Sequence, residues 1–218
     1  MSHDLRSGAK HDAQHGPKRA ALPGSTPNRL DDATPLHAWR HPGAAGAAGR
    51  CIGRTDLAVD ARRAKRLAHR IRQFARRHAL PHCVVTSQLA RSRAVGRWLA
   101  RWGWTHRIDA GLAELDFGRW EGRPWSAIAR GEVDAWCADF AHHAPGGGET
   151  VAALLRRVQA FDPGAARIVV THGGWLSAAH WLAQAGAPAP RSEHWPTPPA
   201  HGQRIDFVLP GAAPTGEA

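Results

Sequence analysis

The sequence is poor in cysteine. Its 218 residues include only Cys51, Cys83 and Cys137, which are far apart and form no C-x-x-C pair. Disulfide frameworks and cysteine-built metal sites both depend on closely spaced sets of thiols, so neither is indicated here. We therefore expect reduced and mostly buried thiols.

Long apolar runs are also lacking. No stretch approaches the roughly 18 to 20 consecutive apolar residues of a membrane span, and the segment after Met1 lacks the apolar run of a secretory signal. A cytoplasmic protein with no membrane partner is the resulting expectation. With 43% hydrophobic and 22% charged residues, the chain suits one folded domain with loose tails.

Negative charge is scarce relative to positive charge. Lysine and arginine total 29 against 18 aspartate and glutamate, a formal charge of +11. Such an excess fits nucleic acid, a membrane surface or an anionic small substrate, and charge alone does not choose between them. Only three of the 29 are lysines, and the spread of arginine is as typical of compositional bias as of a binding patch. The Arg-rich segment 60–78 is accordingly interpreted as a solvated helix face.

The two ends of the chain differ from its middle. Residues 1–34 are rich in Gly, Pro, Ser, His and charge and show no apolar period, so a disordered tail is predicted there. One ordered domain is predicted over 35–210, with a flexible C-terminus at 211–218. No internal repeat appears within it.

Short apolar strands alternate with amphipathic helices inside this domain. Strands are predicted at 36–39, 82–86 and 167–171, with an edge strand at 205–209. Helices are predicted at 60–78 with Asp60 as N-cap, from Ser87 as cap to about 102, and from 173 to about 185. The Pro-rich stretch 186–202 is interpreted as a covering loop.

Continuous apolar strands that alternate with helices predict an α/β fold whose largely parallel sheet is covered on both faces. In such sheets the functional crevice lies beyond the carboxyl ends of the strands. That rule selects the polar side chains that follow the three main strands, namely Arg40, His41, Ser87, Arg91 and His172. Arg93 is a rival of Arg91, but the two lie about 200° apart around a helix, so at most one of them faces the crevice.

This set of side chains suits phosphoryl transfer. Guanidinium groups bind phosphate oxygens bidentately, and helix N-termini add backbone N–H groups. Cationic neighbours disfavour protonation of His41, which leaves a ring nitrogen free as a nucleophile near neutral pH. Because arginines can neutralise the developing charge and no obvious carboxylate cluster offers a magnesium site, we expect neither a metal nor another cofactor.

Four motifs occur in order along the chain. They are residues 39–41 (WRH), 86–91 (TSQLAR), 112–122 (LAELDFGRWEG) and 170–174 (VTHGG). Together they resemble the histidine phosphatase superfamily, also called phosphoglycerate mutase-like, over about residues 36 to 209. The runs 51–57 (CIGRTDL), 117–122 (FGRWEG) and 145–150 (PGGGET) are most similar to its alpha-ribazole-5′-phosphate phosphatases, of the cobalamin nucleotide-loop pathway. The resemblance implies a three-layer sandwich around a mostly parallel central sheet.

The resemblance also implies a ping-pong reaction. His41 would attack phosphorus and become a phosphohistidine, which water then hydrolyses. Arg40, Arg91 and His172 would hold the phosphoryl oxygens, and His172 counts among the catalytic residues. Glu114 matches the family's acid/base carboxylate. Alpha-ribazole 5′-phosphate or the corresponding cobamide phosphate is the implied substrate, and Arg54 contacts either this substrate or water.

The sequence departs from the family at two positions beside the nucleophile. Pro42 stands where the family usually has glycine, so that position offers no amide N–H, although an extended strand end accommodates it. Gly43 replaces the usual acidic residue that follows, which removes any contact that residue makes.

Several alternatives stay open at this point. One is a broad-specificity small-molecule phosphatase or a phosphoprotein phosphatase of the same superfamily, and a mutase is disfavoured because the ordered part is short. The alternative from another class is a basic nucleic-acid-binding protein, although we expect a small phosphomonoester rather than nucleic acid as partner. Near Glu114, a supporting role in the fold is expected for Asp116, Trp120 and Glu121. The candidates to line a pocket for an aromatic base are Trp104, Trp125 and Trp136.

Overall fold

The computed structural model describes residues 35–184 and 189–208. The strands are β1 (Leu36–Arg40), β2 (Cys83–Thr86), β3 (Thr105–Ile108), β4 (Ile168–Thr171) and β5 (Arg204–Phe207). The helices are α1 (Ala61–Arg77), α2 (Ala90–Arg101), α3 (Arg130–Ala138), α4 (Val151–Gln159) and α5 (Gly173–Leu182). The tails predicted at 1–34 and 211–218 lie outside the described residues.

The strands form one sheet in the order β3-β2-β4-β1-β5. Among the first four strands, all neighbouring pairs are parallel, namely β3 with β2, β2 with β4 and β4 with β1. The edge strand β5 pairs antiparallel with β1. Arg40 lies beside Thr171 in the register of β1 and β4, so His41 and His172 follow the sheet at the same edge. The predicted α/β fold with a mostly parallel central sheet is confirmed.

Both faces of the sheet are covered, which explains why its central strands are apolar without interruption. On one face Val85 and Val169 pack with Leu154 and Trp175 of α4 and α5. On the other face Val84, Ile168 and Val170 pack with the buried stripe of α1 and α2, which includes Leu67, Ile71, Val95 and Leu99. Because side chains alternate between faces along a strand, each strand contributes to both cores.

The first helix begins and ends close to where the sequence predicts. The Asp60 side chain accepts a hydrogen bond from the Arg63 amide at 2.9 Å, which confirms it as the N-cap of α1. The predicted cap of the second helix is wrong, because α2 begins at Ala90 with Leu89 as an N-cap that makes no side-chain capping bond. Asp56 instead accepts from the Ala90 amide at 2.5 Å, and the Ser87 hydroxyl lies against His172.

Other elements differ from the prediction in extent. Helix α5 ends at Leu182 rather than near 185, and the edge strand covers Arg204–Phe207, with Leu209 outside the described residues. Strand β3 and helices α3 and α4 were not predicted. The cysteine expectation is correct for buried Cys51 but wrong for exposed Cys137, and Cys83 is half-buried. Across residues 35–184 and 189–208, no helix combines the length and apolarity needed to cross a membrane.

Candidate active site

The structure brings two imidazoles together at the carboxyl edge of the sheet. His41 follows β1, and its amide donates to the Thr171 carbonyl of β4 at 3.0 Å. His172 follows β4 as the N-cap of α5. The ring centroids of His41 and His172 are 4.9 Å apart, and both residues are buried. The strand-end rule therefore places these two residues correctly.

The hydrogen bonds of His41 define its tautomer. Nδ1 lies 2.7 Å from the Pro42 carbonyl oxygen, which can only accept, so Nδ1 carries the proton. Nε2 accepts from the Arg91 Nε–H group at 3.2 Å. Burial, and then the charge of Arg91, lowers the pKa of His41 well below its usual value, so the ring is neutral near pH 7. The acceptor for the His41 Nδ1–H group is the Pro42 carbonyl, so the lack of an N–H group at Pro42 does not affect this hydrogen bond.

Arg91 connects the imidazole to a neighbouring loop. Its guanidinium is almost fully buried and donates to the carbonyls of Thr55 at 2.7 Å and Gly53 at 2.5 Å. Burial lowers the pKa of Arg91, while Glu114 and Asp56 raise it. Of the two rival arginines, Arg91 rather than Arg93 contacts His41, as the motif predicts.

Arg40 is the last residue of β1, and its charge also acts on His41. Its Nη1 donates to the Pro199 carbonyl at 2.9 Å, while its buried Nε has no hydrogen-bond partner among the described residues. Burial lowers the pKa of Arg40 and the nearby Glu114 opposes that change. The guanidinium thus keeps an unused donor in the site.

His172 has one engaged and one unengaged ring nitrogen. Its Nε2 lies 2.6 Å from the Ser87 hydroxyl oxygen, and its buried Nδ1 has no partner in the part of the chain that the structure describes. Burial and then the nearby His41 lower the pKa of His172 well below its usual value. This imidazole is therefore also neutral near pH 7.

Glu114 is held by backbone amides. One carboxylate oxygen accepts from the Leu115 amide and the other from the Gly174 amide, each at 3.0 Å. Gly174 belongs to the first turn of α5, where the helix dipole favours a negative group. A side chain at Gly174 would overlap the Glu114 carboxylate, so glycine is required for this approach. Glu114 lines the cavity beside His41 and is 8% exposed.

A second set of charges supports the backbone of Glu114. Arg54 donates through Nε to the Glu114 carbonyl at 2.9 Å and lies 3.5 Å from the Glu149 carboxylate. Arg157 donates to both Glu149 oxygens at 3.0 and 2.8 Å and to the Ala113 carbonyl at 2.8 Å. Burial raises the pKa of Glu149, but Arg157 outweighs it and the net pKa is lowered. The sequence analysis named Arg54 as a candidate site residue but not Glu149 or Arg157, because both belong to segments that are distant from Glu114 in the sequence.

Glu121 fixes the loop that Arg91 contacts. Its carboxylate accepts from the amides of Gly53, Arg54 and Thr55 at 3.1, 2.7 and 3.0 Å, from the Thr55 hydroxyl at 2.5 Å and from the Phe117 amide at 3.2 Å. Burial raises the pKa of Glu121, but these donors together lower it below its usual range. The sequence assigned Glu121 to fold support, and its contacts are of that kind.

His201 was missed by sequence reasoning. Its Nδ1 donates to the His41 carbonyl at 3.1 Å, and the two rings lie 5.1 Å apart. Burial and the charge of Arg40 lower the pKa of His201. The residue lies in the Pro-rich stretch that reads as a covering loop, and no local pattern distinguishes it from the other histidines.

A cavity of about 660 Å³ opens beside these groups. Its polar end contains Arg40, His41, Arg91, Glu114 and His201. The rest is mainly apolar, and its aromatic lining consists of Phe117, Trp125, Trp136, Phe140 and Trp195. Trp125 and Trp136 line the cavity as expected, whereas the expectation for Trp104 is wrong because it packs in the core beneath α1 and α2. Arg54 is not among the cavity-lining residues.

This fold and this paired-histidine site define a class of protein. The family model described as "Histidine phosphatase superfamily (branch 1)" matches residues 36–209. The chain belongs to the histidine phosphatase superfamily. A search of curated proteins finds no significant match.

Solved structures agree with this assignment. TTHB049 from Thermus thermophilus is 26% identical, with a TM-score of 0.56, and the match covers 82% of this chain and 95% of that one. A mycobacterial protein described as "Mycobacterial hydrolase 2" is 25% identical, with a TM-score of 0.62 and coverage of 83% and 85%. The mycobacterial glucosyl-3-phosphoglycerate phosphatase Rv2419c is 25% identical, with a TM-score of 0.57 and coverage of 71% and 82%.

Proposed function

We propose that this protein is a metal-independent phosphomonoesterase that works through a phosphohistidine at His41. The observation that carries the proposal is the state of His41, a buried neutral imidazole whose proton is fixed on Nδ1 by the Pro42 carbonyl. The Nε2 lone pair is thereby available to phosphorus once substrate displaces the long contact from Arg91. Membership of a phosphatase superfamily supports the same reaction.

In the first half of the reaction, His41 Nε2 forms a bond to phosphorus as the ester P–O bond breaks. Glu114 in its protonated form gives a proton to the leaving oxygen, so an alcohol departs. The unpartnered Arg40 Nε and the ring nitrogen Nδ1 of His172, together with the remaining N–H groups of Arg91, supply donors for the phosphoryl oxygens. The charge that develops on phosphorus is therefore met by groups already in place.

In the second half, water attacks the phosphohistidine. Glu114, now ionised, takes a proton from that water, the P–N bond breaks and inorganic phosphate leaves. Neutral His41 and protonated Glu114 are regenerated once the remaining protons equilibrate with solvent. No step requires a metal, because arginines and imidazole meet the charge of the phosphoryl group.

The substrate we propose is alpha-ribazole 5′-phosphate, or the corresponding cobamide phosphate, in the assembly of the cobalamin nucleotide loop. The three runs that resemble such phosphatases pack against one another beside Glu114. Glu121 binds the 53–55 amides, and the backbone of Gly146 lies directly against that of Phe117 and Gly118. The aromatic part of the cavity suits a planar base such as a benzimidazole. Both observations support this leaving group over a small polar alcohol.

A panel of phosphomonoesters tests this proposal, assayed with and without a chelator. It contains alpha-ribazole 5′-phosphate, the cobamide phosphate, ribose 5-phosphate, glucosyl-3-phosphoglycerate and a phosphoserine peptide. Burial of an aromatic base contributes about 1.5 to 3 kcal/mol, so kcat/KM for the ribazole ester should exceed that for ribose 5-phosphate by about 10- to 100-fold. Equal values across the panel would favour the broad-specificity alternative.

Variants separate the two parts of the proposal. Trp136→Ala should lose that preference while it keeps hydrolysis of ribose 5-phosphate, and His41→Ala should lose all hydrolysis. A clear preference for another ester overturns the substrate, and full dependence on a divalent metal overturns the mechanism. The nucleic-acid alternative instead requires salt-sensitive binding of DNA that survives His41→Ala.

A further inference from the structure

Ser87 lies where the sequence suggests a helix cap, but the structure gives its hydroxyl another task. Ser87 and His172 are both fully buried, and the hydroxyl oxygen is 2.6 Å from His172 Nε2. The only other hydrogen bond of this hydroxyl in the described part of the chain comes from the Leu89 amide, which donates to it at 3.3 Å. The opposite ring nitrogen, Nδ1 of His172, is without a partner among the same residues.

Two arrangements of hydrogens are compatible with these distances. A neutral imidazole carries one N–H, either on Nε2 or on Nδ1. If Nε2 carries it, the serine oxygen accepts from both His172 and Leu89, its own O–H group has no acceptor, and Nδ1 presents a lone pair. If Nδ1 carries it, the serine O–H donates to Nε2, and every group of Ser87 is satisfied.

The second arrangement leaves fewer buried groups unpaired. Each arrangement leaves one buried donor without an acceptor, but the first also leaves the Nδ1 lone pair without a donor. Because every unpaired buried polar group is costly, donation from the hydroxyl to Nε2 is favoured. The single group left open is then the N–H on Nδ1, in a ring whose centroid is 4.9 Å from that of His41. A phosphoryl oxygen between the two rings needs a donor at this position, because a lone pair would repel it.

We propose that Ser87 is a positioning residue that fixes His172 in its Nδ1–H tautomer and so keeps a hydrogen-bond donor ready for the phosphoryl group. The functional role of this donor rests on the phosphatase reaction proposed above, whereas the tautomer of His172 does not depend on that reaction. Ser87 thus acts through His172 and needs no contact with substrate.

The direct test is two-bond 15N–1H correlation NMR on ligand-free wild-type protein labelled with 15N-histidine, at pH 7.5. His172 is assigned by comparison with a His172→Asn variant. We expect a protonated Nδ1 and an unprotonated Nε2. A majority of the Nε2–H tautomer overturns the proposal, whatever the protein hydrolyses.

Variants supply the second measurement, with inorganic phosphate and vanadate as the probes. Ser87→Ala should shift His172 toward the Nε2–H tautomer and weaken binding of both anions by roughly 10-fold, since one donor is lost. Ser87→Thr keeps the hydroxyl and should restore the tautomer and most of the binding. The matched control is Ser92→Ala, which removes a buried hydroxyl bonded at 2.6 Å to the Val170 carbonyl. If Ser87→Ala retains the wild-type tautomer and anion binding, or if Ser92→Ala changes them equally, the proposal is overturned.

Discussion

At the scale of single residues, the proposed chemistry depends on where protons are held. His41 is fixed by a carbonyl on one nitrogen and His172 by a hydroxyl on one nitrogen, and both rings have a lowered pKa. Glu114 is different, because both of its oxygens accept amide hydrogens while its side chain still lines the cavity. One carboxylate thereby stands beside two neutral imidazoles, which suits it to exchange a proton with a leaving group.

The role of Glu114 is tested by Glu114→Gln on two substrates. An ester with a poor leaving group should lose about 100- to 10,000-fold in kcat/KM, which reports only the half-reaction in which the alcohol leaves, because its departing oxygen needs a proton. A nitrophenyl ester, whose leaving group needs no proton, should lose far less. Glu193→Gln, at a residue with an exposed side chain, serves as the control and should change neither rate. Equal losses on both esters would assign Glu114 another role.

At the scale of elements, the site is built from loops that distant side chains hold in place. Glu121 binds the amides of residues 53–55, and the carbonyls of Gly53 and Thr55 in turn hold Arg91 against His41. The position of the proposed nucleophile thus depends on a carboxylate that contacts neither His41 nor the cavity. A second carboxylate, Glu149, supports the Glu114 loop through Arg54 and Arg157.

Glu121→Gln should reveal this indirect support. The amide group replaces one accepting oxygen by a donor, which then faces backbone N–H groups. We expect the free energy of unfolding to fall by about 1 to 3 kcal/mol and kcat/KM to fall as Arg91 loses its position. Chemical denaturation and steady-state kinetics measure the two effects. The comparison is Glu193→Gln, because Glu193 is a glutamate with an exposed side chain. Equal effects of the two substitutions would contradict the account.

The elements that sequence patterns predicted have clear local signals. Strands β1, β2 and β4 are short apolar runs, and α1 has an apolar stripe with a capping aspartate. Strand β3 was missed because it is an edge strand with mostly exposed residues. Helix α3 contains no buried residue and so has little periodic signal. Helix α4 could have been found, since Thr150 caps it and Val151, Leu154 and Val158 are buried on one face.

The site was predictable only in part, for a physical reason. Residues that follow strands are placed by sheet topology, so Arg40, His41 and His172 could be grouped from their positions along the chain. Asp56, Glu149 and His201 reach the site through tertiary folding of loops, which leaves no local pattern. Ser87 shows the same limit, because a serine before a helix is typical of a cap while its actual partner lies 85 positions away in the chain.

At the scale of the whole molecule, positive charge is concentrated on one layer. Helices α1 and α2 contain 12 of the 29 basic residues and none of the 18 acidic residues, so the rest of the chain is close to neutral. Helix α1 is about 25 Å long and begins near the site, where Arg63 lies beside Gly43. Its far end carries Arg76 and Arg77.

This arrangement predicts that the effect of charge on substrate binding depends on position along α1. Exposed charges are screened over about 8 Å at physiological ionic strength. Arg63→Gln should therefore raise KM by about 2- to 3-fold at low salt, and added salt should reduce the difference. Arg76→Gln, at the far end, should leave KM unchanged. An equal effect of both substitutions would mean that the whole layer attracts substrate.

Stability should fall in mild acid because buried histidines must be protonated on unfolding. The pKa values of buried His41 and His172 and of half-buried His106 are lowered in the folded state, so the unfolded chain binds more protons once pH falls below about 6.5. Each such group contributes full stability above that pH and loses up to about 1.4 kcal/mol per pH unit below it, until its folded-state pKa is reached. Denaturant unfolding from pH 8 to 5 measures this slope, and His106→Gln should reduce it. A flat profile would contradict neutral histidines in the core.

The most direct measurement of the central claim is a single turnover with 32P-labelled substrate, quenched in alkali, where phosphohistidine survives. The account predicts transient label on the peptide that contains His41, with no label and no turnover in His41→Ala. Label on another residue, or wild-type turnover by His41→Ala, would contradict it.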